Sequence, residues 1–149
     1  MSLAAERQRV AEQSIQAMWD GDATAKLLGM TLMDVAPDRV SVAMTISEIH
    51  ANGHGTCHGG MIFSLAGTAF AMACNSANKA TVAQHASITY IRPAQLGDVL
   101  LAEAMVKNQT GRSGIYDVVV RNQDGQEVAV FRGCSRQISG VHFDDNREL

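Results

Sequence analysis

The chain has 149 residues, room for one domain with a single buried core, and its 46% hydrophobic share with mean hydropathy near zero describes an ordinary globule, not a disordered chain. A net charge of −3 with scattered Lys and Arg carries no electrostatic footprint for nucleic acid. Three cysteines, Cys57, Cys74 and Cys134, form neither a CxxC pair nor an even disulfide framework, which points to a reducing, cytoplasmic setting.

In chain order, residues 4–19 read as an amphipathic helix with Val10, Ile15, Met18 and Trp19 on one side. Glu6, Arg7, Arg9 and Glu12 exclude a secretory leader there. A short helix is expected over 24–28, stopped by Gly29. Residues 39–47 alternate apolar with small or polar, the pattern of a half-buried strand. Residues 51–60 then hold Gly53, Gly55, Gly59 and Gly60, a density that demands irregular backbone.

That loop feeds a helix expected over 61–80, with Ile62, Leu65, Ala66, Ala69 and Ala73 at helical spacing and Phe63, Phe70 and Cys74 making the other side apolar too. Its apolar run is too short to span a bilayer, so no membrane partner is expected. Strands are expected over 87–91, 99–107, 114–121 and 127–137, with turn signals at 108–111 and at Asp124-Gly125. The polar residues from Gly140, including Asp144, Asp145, Arg147 and Glu148, read as a frayed tail.

Short connections make the last strands antiparallel neighbours. The expected architecture is α+β, an antiparallel sheet wrapped around one apolar helix. The units are an N-terminal helix (1–20), the α+β domain (21–140) and a polar tail (141–149). One sheet face covers only one side of the helix, so the other needs the terminal helix or a second subunit, and a homodimer is expected.

The Gly loop entering a helix is the feature that carries chemistry. Unpaired N–H groups of a first helical turn, with the helix dipole behind them, bind an anion or a developing oxyanion. Glycines at 59 and 60 would let a substrate carbonyl approach without meeting a Cβ, although they would also serve simply to turn the chain.

The segment Asn52-Gly53-His54-Gly55-Thr56-Cys57-His58-Gly59-Gly60 with Phe63-Ser64-Leu65-Ala66 resembles the hotdog-fold acyl-CoA thioesterases of the PaaI type, from phenylacetic acid degradation. Later matches include Ala73-Cys74-Asn75-Ser76, Arg92-Pro93, Gly97-Asp98, Gly114-Ile115-Tyr116-Asp117 and Phe131-Arg132-Gly133, so the resemblance spans roughly 20–140. It implies hydrolysis of a CoA thioester, aryl-acetyl-CoA or another medium acyl-CoA, with no cofactor beyond the CoA of the substrate. It also implies a homodimer, paired again into a homotetramer.

By the same resemblance the Gly59 N–H polarises the thioester carbonyl, while His58 and Asn52 shape the pocket and hold substrate or water. A carboxylate nine residues after the histidine, reaching from the partner subunit, acts as base or nucleophile. This chain has Gly67 at that position, and no Asp or Glu occurs between Ala51 and Gly97. The readings are a substitution, a binding-only member, or a base elsewhere, for which Glu48, Asp98 and Asp117 are candidates. His58 could be a pocket donor, a structural residue or a general base, and without a carboxylate at 67 it becomes the best remaining base.

Gly60, Phe63, Phe70, Gln84, Arg92 and Arg112 are the substrate-side candidates, Phe63 and Phe70 being core first and acyl pocket second. Lys107 and Arg132 are further cations at strand ends or turns where a phosphate would be met. His50, His54 and His58 recur every four residues, but Gly53 and Gly55 oppose the helix on which they would converge on a metal, and none is expected. Cys57 beside His58 reads as a small core thiol, since adjacent side chains point apart. The alternative of another class is an acyl-CoA-binding protein without hydrolysis.

Overall fold

The computed structural model describes residues 1–146. Helix α1 (Leu3–Asp20) starts at Ser2, whose hydroxyl accepts the Ala5 N–H at 3.1 Å, and α2 (Ala23–Leu27) starts on the Asp22 carboxylate. Strands β1 (Met30–Ala36) and β2 (Arg39–Thr45) follow as a hairpin, then a single 3₁₀ turn (Glu48–His50), the Gly loop and the central helix α3 (Gly59–Cys74). Strands β3 (Thr81–Tyr90), β4 (Val99–Thr110), β5 (Ser113–Arg121) and β6 (Glu127–Gln137) complete one six-stranded antiparallel sheet in the order β1-β2-β4-β5-β6-β3.

This is the α+β hotdog arrangement. The inward residues of β2, β4 and β5, among them Val42, Met44, Leu100, Ala102, Tyr116, Val118 and Val120, bury against Ile62, Leu65, Ala66, Ala69 and Phe70 of α3. Strand β3 leaves α3 and pairs with β6, not with β4, which corrects the expected chain-order pairing of the last four strands. It therefore stands at an edge of the sheet with ten residues.

Other expectations are corrected too. Helix α3 ends at Cys74, not Ala80, because the Asn75 side chain turns the chain: its Oδ1 accepts the Thr81 N–H at 2.8 Å and its Nδ2 donates to Ala71 O and Thr81 O. Asn78 then takes a left-handed φ of 58°. The tail is docked, not frayed, as far as Asp145. His142 and Phe143 N–H donate to Asn78 Oδ1, and Arg9 of α1 pairs with Asp145 at 2.9 Å. Arg147 and Glu148 lie outside the described residues.

Helix α1 packs on β1 and meets α3 at its far end, where Ser14 Oγ donates to Asn75 O at 2.6 Å. It leaves a stripe of α3 uncovered. Gly60, Phe63, Ser64, Gly67 and Ala71 are only partly buried or exposed and recur every three to four residues.

Candidate active site at the head of the central helix

The Gly loop is a knot tied by Asn52. Its Oδ1 accepts the N–H groups of His54 (2.9 Å) and Thr56 (3.1 Å), and its Nδ2 donates to Thr56 Oγ1 at 2.9 Å. Downstream, Cys57 N–H donates to Ala94 O and His58 N–H to His50 O, so the loop leaves its last residue fixed at the head of α3. His50 is buried and structural: Nδ1 accepts the Ser47 N–H at 2.9 Å while Nε2 donates to Leu28 O at 2.8 Å. With both ring nitrogens engaged it has none left for a metal, and His54 stands exposed at the loop tip.

His58 is the N-cap of α3, and it takes up most of the first turn's donors. Its Nδ1 accepts the Gly60 N–H at 2.8 Å, and its carbonyl accepts those of Met61 and Ile62 at 2.9 and 3.4 Å. The Gly59 N–H has no acceptor among the described residues. One donor thus remains free at the positive end of a sixteen-residue helix, the arrangement that stabilises an oxyanion. A neutral imidazole that accepts at Nδ1 carries its hydrogen on Nε2, so the exposed nitrogen of His58 donates. Of the three roles open to His58, this geometry favours pocket donor over general base.

The two glycines have a reason the sequence does not show. A Cβ on Gly60 would stand 2.9 Å from His58 Nδ1, and one on Gly59 would stand 3.0 Å from Tyr90 Cζ and Oη. The missing side chains make room for a histidine and a tyrosine of this same chain. Tyr90, at the end of β3, donates its hydroxyl to Gly59 O at 2.7 Å. Desolvation, with Cys57 nearby, raises its phenol above the ordinary value, so it remains a donor at neutral pH. Sequence reasoning passed over Tyr90; the available signal was an aromatic side chain closing a strand just before Ile91-Arg92-Pro93.

Cys57, Gly59, Ile62, Tyr90, Arg92 and Pro93 line a shallow cleft of about 300 Å³ at this helix head. Arg92 is therefore brought to Gly59; its Nε donates to Glu127 O at 2.8 Å, which fixes the guanidinium at the rim. Burial pushes the Cys57 thiol up to about 11, so it stays protonated and is no nucleophile.

The other candidates scatter. Phe63 lies one turn into α3, 39% exposed, with its ring edge-on to Phe131 at 5.4 Å. Phe70, 1% exposed and packed on Tyr116 and Phe131, is a core residue with no pocket face in this chain. Gln84 is the extra residue of a bulge on β3, exposed at the sheet edge. Arg112 sits in the β4–β5 turn, beside Asp38, Cys74 and Lys79 at the opposite end of α3, a helix about 24 Å long. Within one chain Arg112 does not belong to the Gly59 cleft.

Gly67 faces the uncovered stripe, and a Cβ there would meet nothing within 4 Å. The neighbouring hydroxyls donate back to the helix, Ser64 to Gly60 O at 2.9 Å and Thr68 to Ser64 O at 2.7 Å. Among the alternative bases, Asp117 lies on the outer face of β5 between the inward Tyr116 and Val118, gripped by Arg132 at 2.7 and 2.9 Å. That grip lowers its carboxyl below the usual range. Asp98 accepts the Gln95 N–H and the Gln123 amide in the loop before β4, and Glu48 is exposed on the 3₁₀ turn. Asp117 is thus on the sheet face away from α3 and already paired with Arg132.

The thioesterase superfamily model matches residues 54–129. The acyl-coenzyme A thioesterase PaaI of Escherichia coli strain K12 is 45% identical over 129 residues, 87% of this chain and 92% of that protein. The solved structure of the E. coli PaaI protein from the phenylacetic acid degradation operon superposes with a TM-score of 0.88 at 43% identity, covering 90% of this chain and 97% of that one. A Streptococcus mutans protein bound to acetyl-CoA superposes at 0.72 with 26% identity, over 75% of this chain and 90% of that one.

Proposed function

This chain belongs to the thioesterase superfamily, its E. coli relative is an acyl-coenzyme A thioesterase, and on that premise we propose that it binds aryl-acetyl-CoA, such as phenylacetyl-CoA, and holds the thioester carbonyl on the Gly59 N–H. The observation that carries this reading is the single free donor at the head of an apolar helix, beside a cleft with an arginine at its rim. Support for phenylacetyl-CoA as the substrate comes from the E. coli relative, a protein of the phenylacetic acid degradation operon. Phe63, partly exposed one turn below the donor, supplies an edge for the aromatic ring.

The reaction is hydrolysis. Water oxygen adds to the carbonyl carbon, the oxyanion rests on the Gly59 N–H and the His58 Nε2–H, and collapse breaks the C–S bond. The CoA sulfur takes the proton that the water gives up. A positioned base is worth about 10²–10⁴-fold in such a step. This chain places Gly67 where the resemblance puts its carboxylate, so water is activated poorly, and the chain binds its thioester much better than it turns it over.

The complete site is that of a homodimer. The edge strand β3 and the open α3 stripe lie on the side that a second copy would cover, bringing position 67 of one chain to Gly59 of the other. A second pairing to a tetramer belongs to the same proposal, as does a cytoplasmic setting, which suits three free thiols. Among the described residues no helix is long and apolar enough to cross a membrane.

The test is turnover of phenylacetyl-CoA with detection of the released thiol, for this chain and for Gly67→Asp. The open space at 67 accepts the new side chain without a clash. The variant should gain at least about a hundredfold in kcat. Saturable binding by both chains with no thiol release from either would show a binder without hydrolysis.

A further inference from the structure

Tyr90 and His58 meet opposite sides of one peptide group. The Tyr90 hydroxyl donates to Gly59 O at 2.7 Å, and the N–H on the other side of that same peptide, Gly60 N–H, donates to His58 Nδ1 at 2.8 Å. Both contacts are tight against glycine: a Cβ at 59 would stand 3.0 Å from the Tyr90 ring, and a Cβ at 60 would stand 2.9 Å from the imidazole. A hydrogen bond accepted by an amide carbonyl polarises the amide and strengthens the donation from its N–H, so the bonds reinforce one another. A neutral imidazole can sit in either tautomer, and the bond accepted by one nitrogen selects which.

We propose that Tyr90 is a positioning residue that acts through the Gly59–Gly60 peptide to hold His58 in its Nε2–H tautomer, so that the helix head presents a second donor beside the Gly59 N–H. Tyr90 does not touch the reacting atoms. It fixes the first turn of α3 and decides which face of the histidine reacts. Its place at the end of the edge strand β3 also ties that edge to the oxyanion site. The role in turnover rests on the thioesterase reading above, whereas the tautomer does not, and the two are tested separately.

The experiment is ¹⁵N NMR of histidine-labelled protein at a pH where the imidazoles are neutral, on this chain and on Tyr90→Phe. In the original chain His58 should show one acceptor-type nitrogen, Nδ1, and one protonated nitrogen, Nε2. Tyr90→Phe keeps the ring against Gly59 and removes only the hydroxyl. The His58 nitrogens should then shift toward tautomer averaging and the Gly60 amide proton should move upfield. His54, exposed in the same loop, should not change.

In a Gly67→Asp background the same change should lower kcat about tenfold with little change in KM, less than the 10²–10³ lost when an oxyanion donor is removed outright. An averaged tautomer in the original chain overturns the proposal whether or not Tyr90→Phe folds. So does an unchanged His58 signature in a folded Tyr90→Phe. A shifted tautomer with no thiol release in any Gly67→Asp chain would leave Tyr90 its positioning role and overturn the thioesterase reading instead.

Discussion

Gly59 and Gly60 each lie against a ring of this chain. Gly133 on β6 is a third case. A Cβ there would stand 2.7 Å from three atoms of the Phe70 ring, and that ring is held by Tyr116 and Phe131 with centroids at 5.7 and 5.8 Å. Phe70 is 1% exposed and has nowhere to swing. Gly133→Ala should therefore cost about 1–3 kcal/mol, the usual range for overpacking a filled core, and lower the urea midpoint accordingly. An unchanged midpoint would show that the Phe70 layer has slack. The Phe131-Arg132-Gly133 run was visible in the sequence as a motif, but not its cause, because Phe70 lies 63 positions away.

At the scale of elements, what the sequence shows depends on whether an element keeps its period. The amphipathic α1, the alternating β2 and β5 and the apolar α3 could all be read, since each buries one consistent face. Strand β1 was missed: a bulge between Leu32 and Val35 sets two residues against one and breaks the alternation. The first half of β3 was missed for the same reason, its bulge lying between Ala83 and His85, and its edge position leaves most side chains exposed whatever the face. The end of α3 was placed too late because Ala77 and Ala80 suit a helix, whereas the Asn75 side-chain bonds that stop it are made to residues across the turn. Asn52, His58 and Gly59 could be located by motif, but Tyr90 only by the fold.

The docked tail carries a pH-dependence of its own. His142 Nε2 donates to Asn75 Oδ1 at 2.7 Å, and partial burial lowers its value below the ordinary 6.5. Between the two values the undocked tail binds more protons than the docked one, so docking is at full strength above about pH 6.5 and weakens as pH falls through the depressed value. Amide protection at His142 and Phe143, corrected for intrinsic exchange, should drop on acidification. His142→Gln keeps a donor for Asn75 and should remove that dependence; a tail that loosens equally in both chains would assign the effect to other groups.

For the whole molecule, one chain leaves three features unfinished. The α3 stripe from Gly60 to Ala71 is uncovered, the β3 edge has no neighbour among the described residues, and position 67 is two turns away from the donor it would serve. The proposed two-fold assembly of identical chains would resolve all three, because an isologous contact meets its own patch. It would also make catalysis a property of two chains, which can be divided between them. The original chain has the Gly59 donor but no carboxylate at 67. A Gly59→Ala, Gly67→Asp chain has the carboxylate, but its new Cβ would stand 3.0 Å from the Tyr90 ring inside the cleft, where it should hinder the thioester carbonyl from reaching the donor. Neither homodimer should hydrolyse phenylacetyl-CoA well. Co-expressed, they should form mixed dimers in which one of the two sites joins an intact Gly59 to the carboxylate of the other chain, and thiol release should appear only in the mixture. If Gly67→Asp alone is active while mixed dimers, shown to form by tagged pull-down, are not, donor and base belong to the same chain and the two-chain site is wrong.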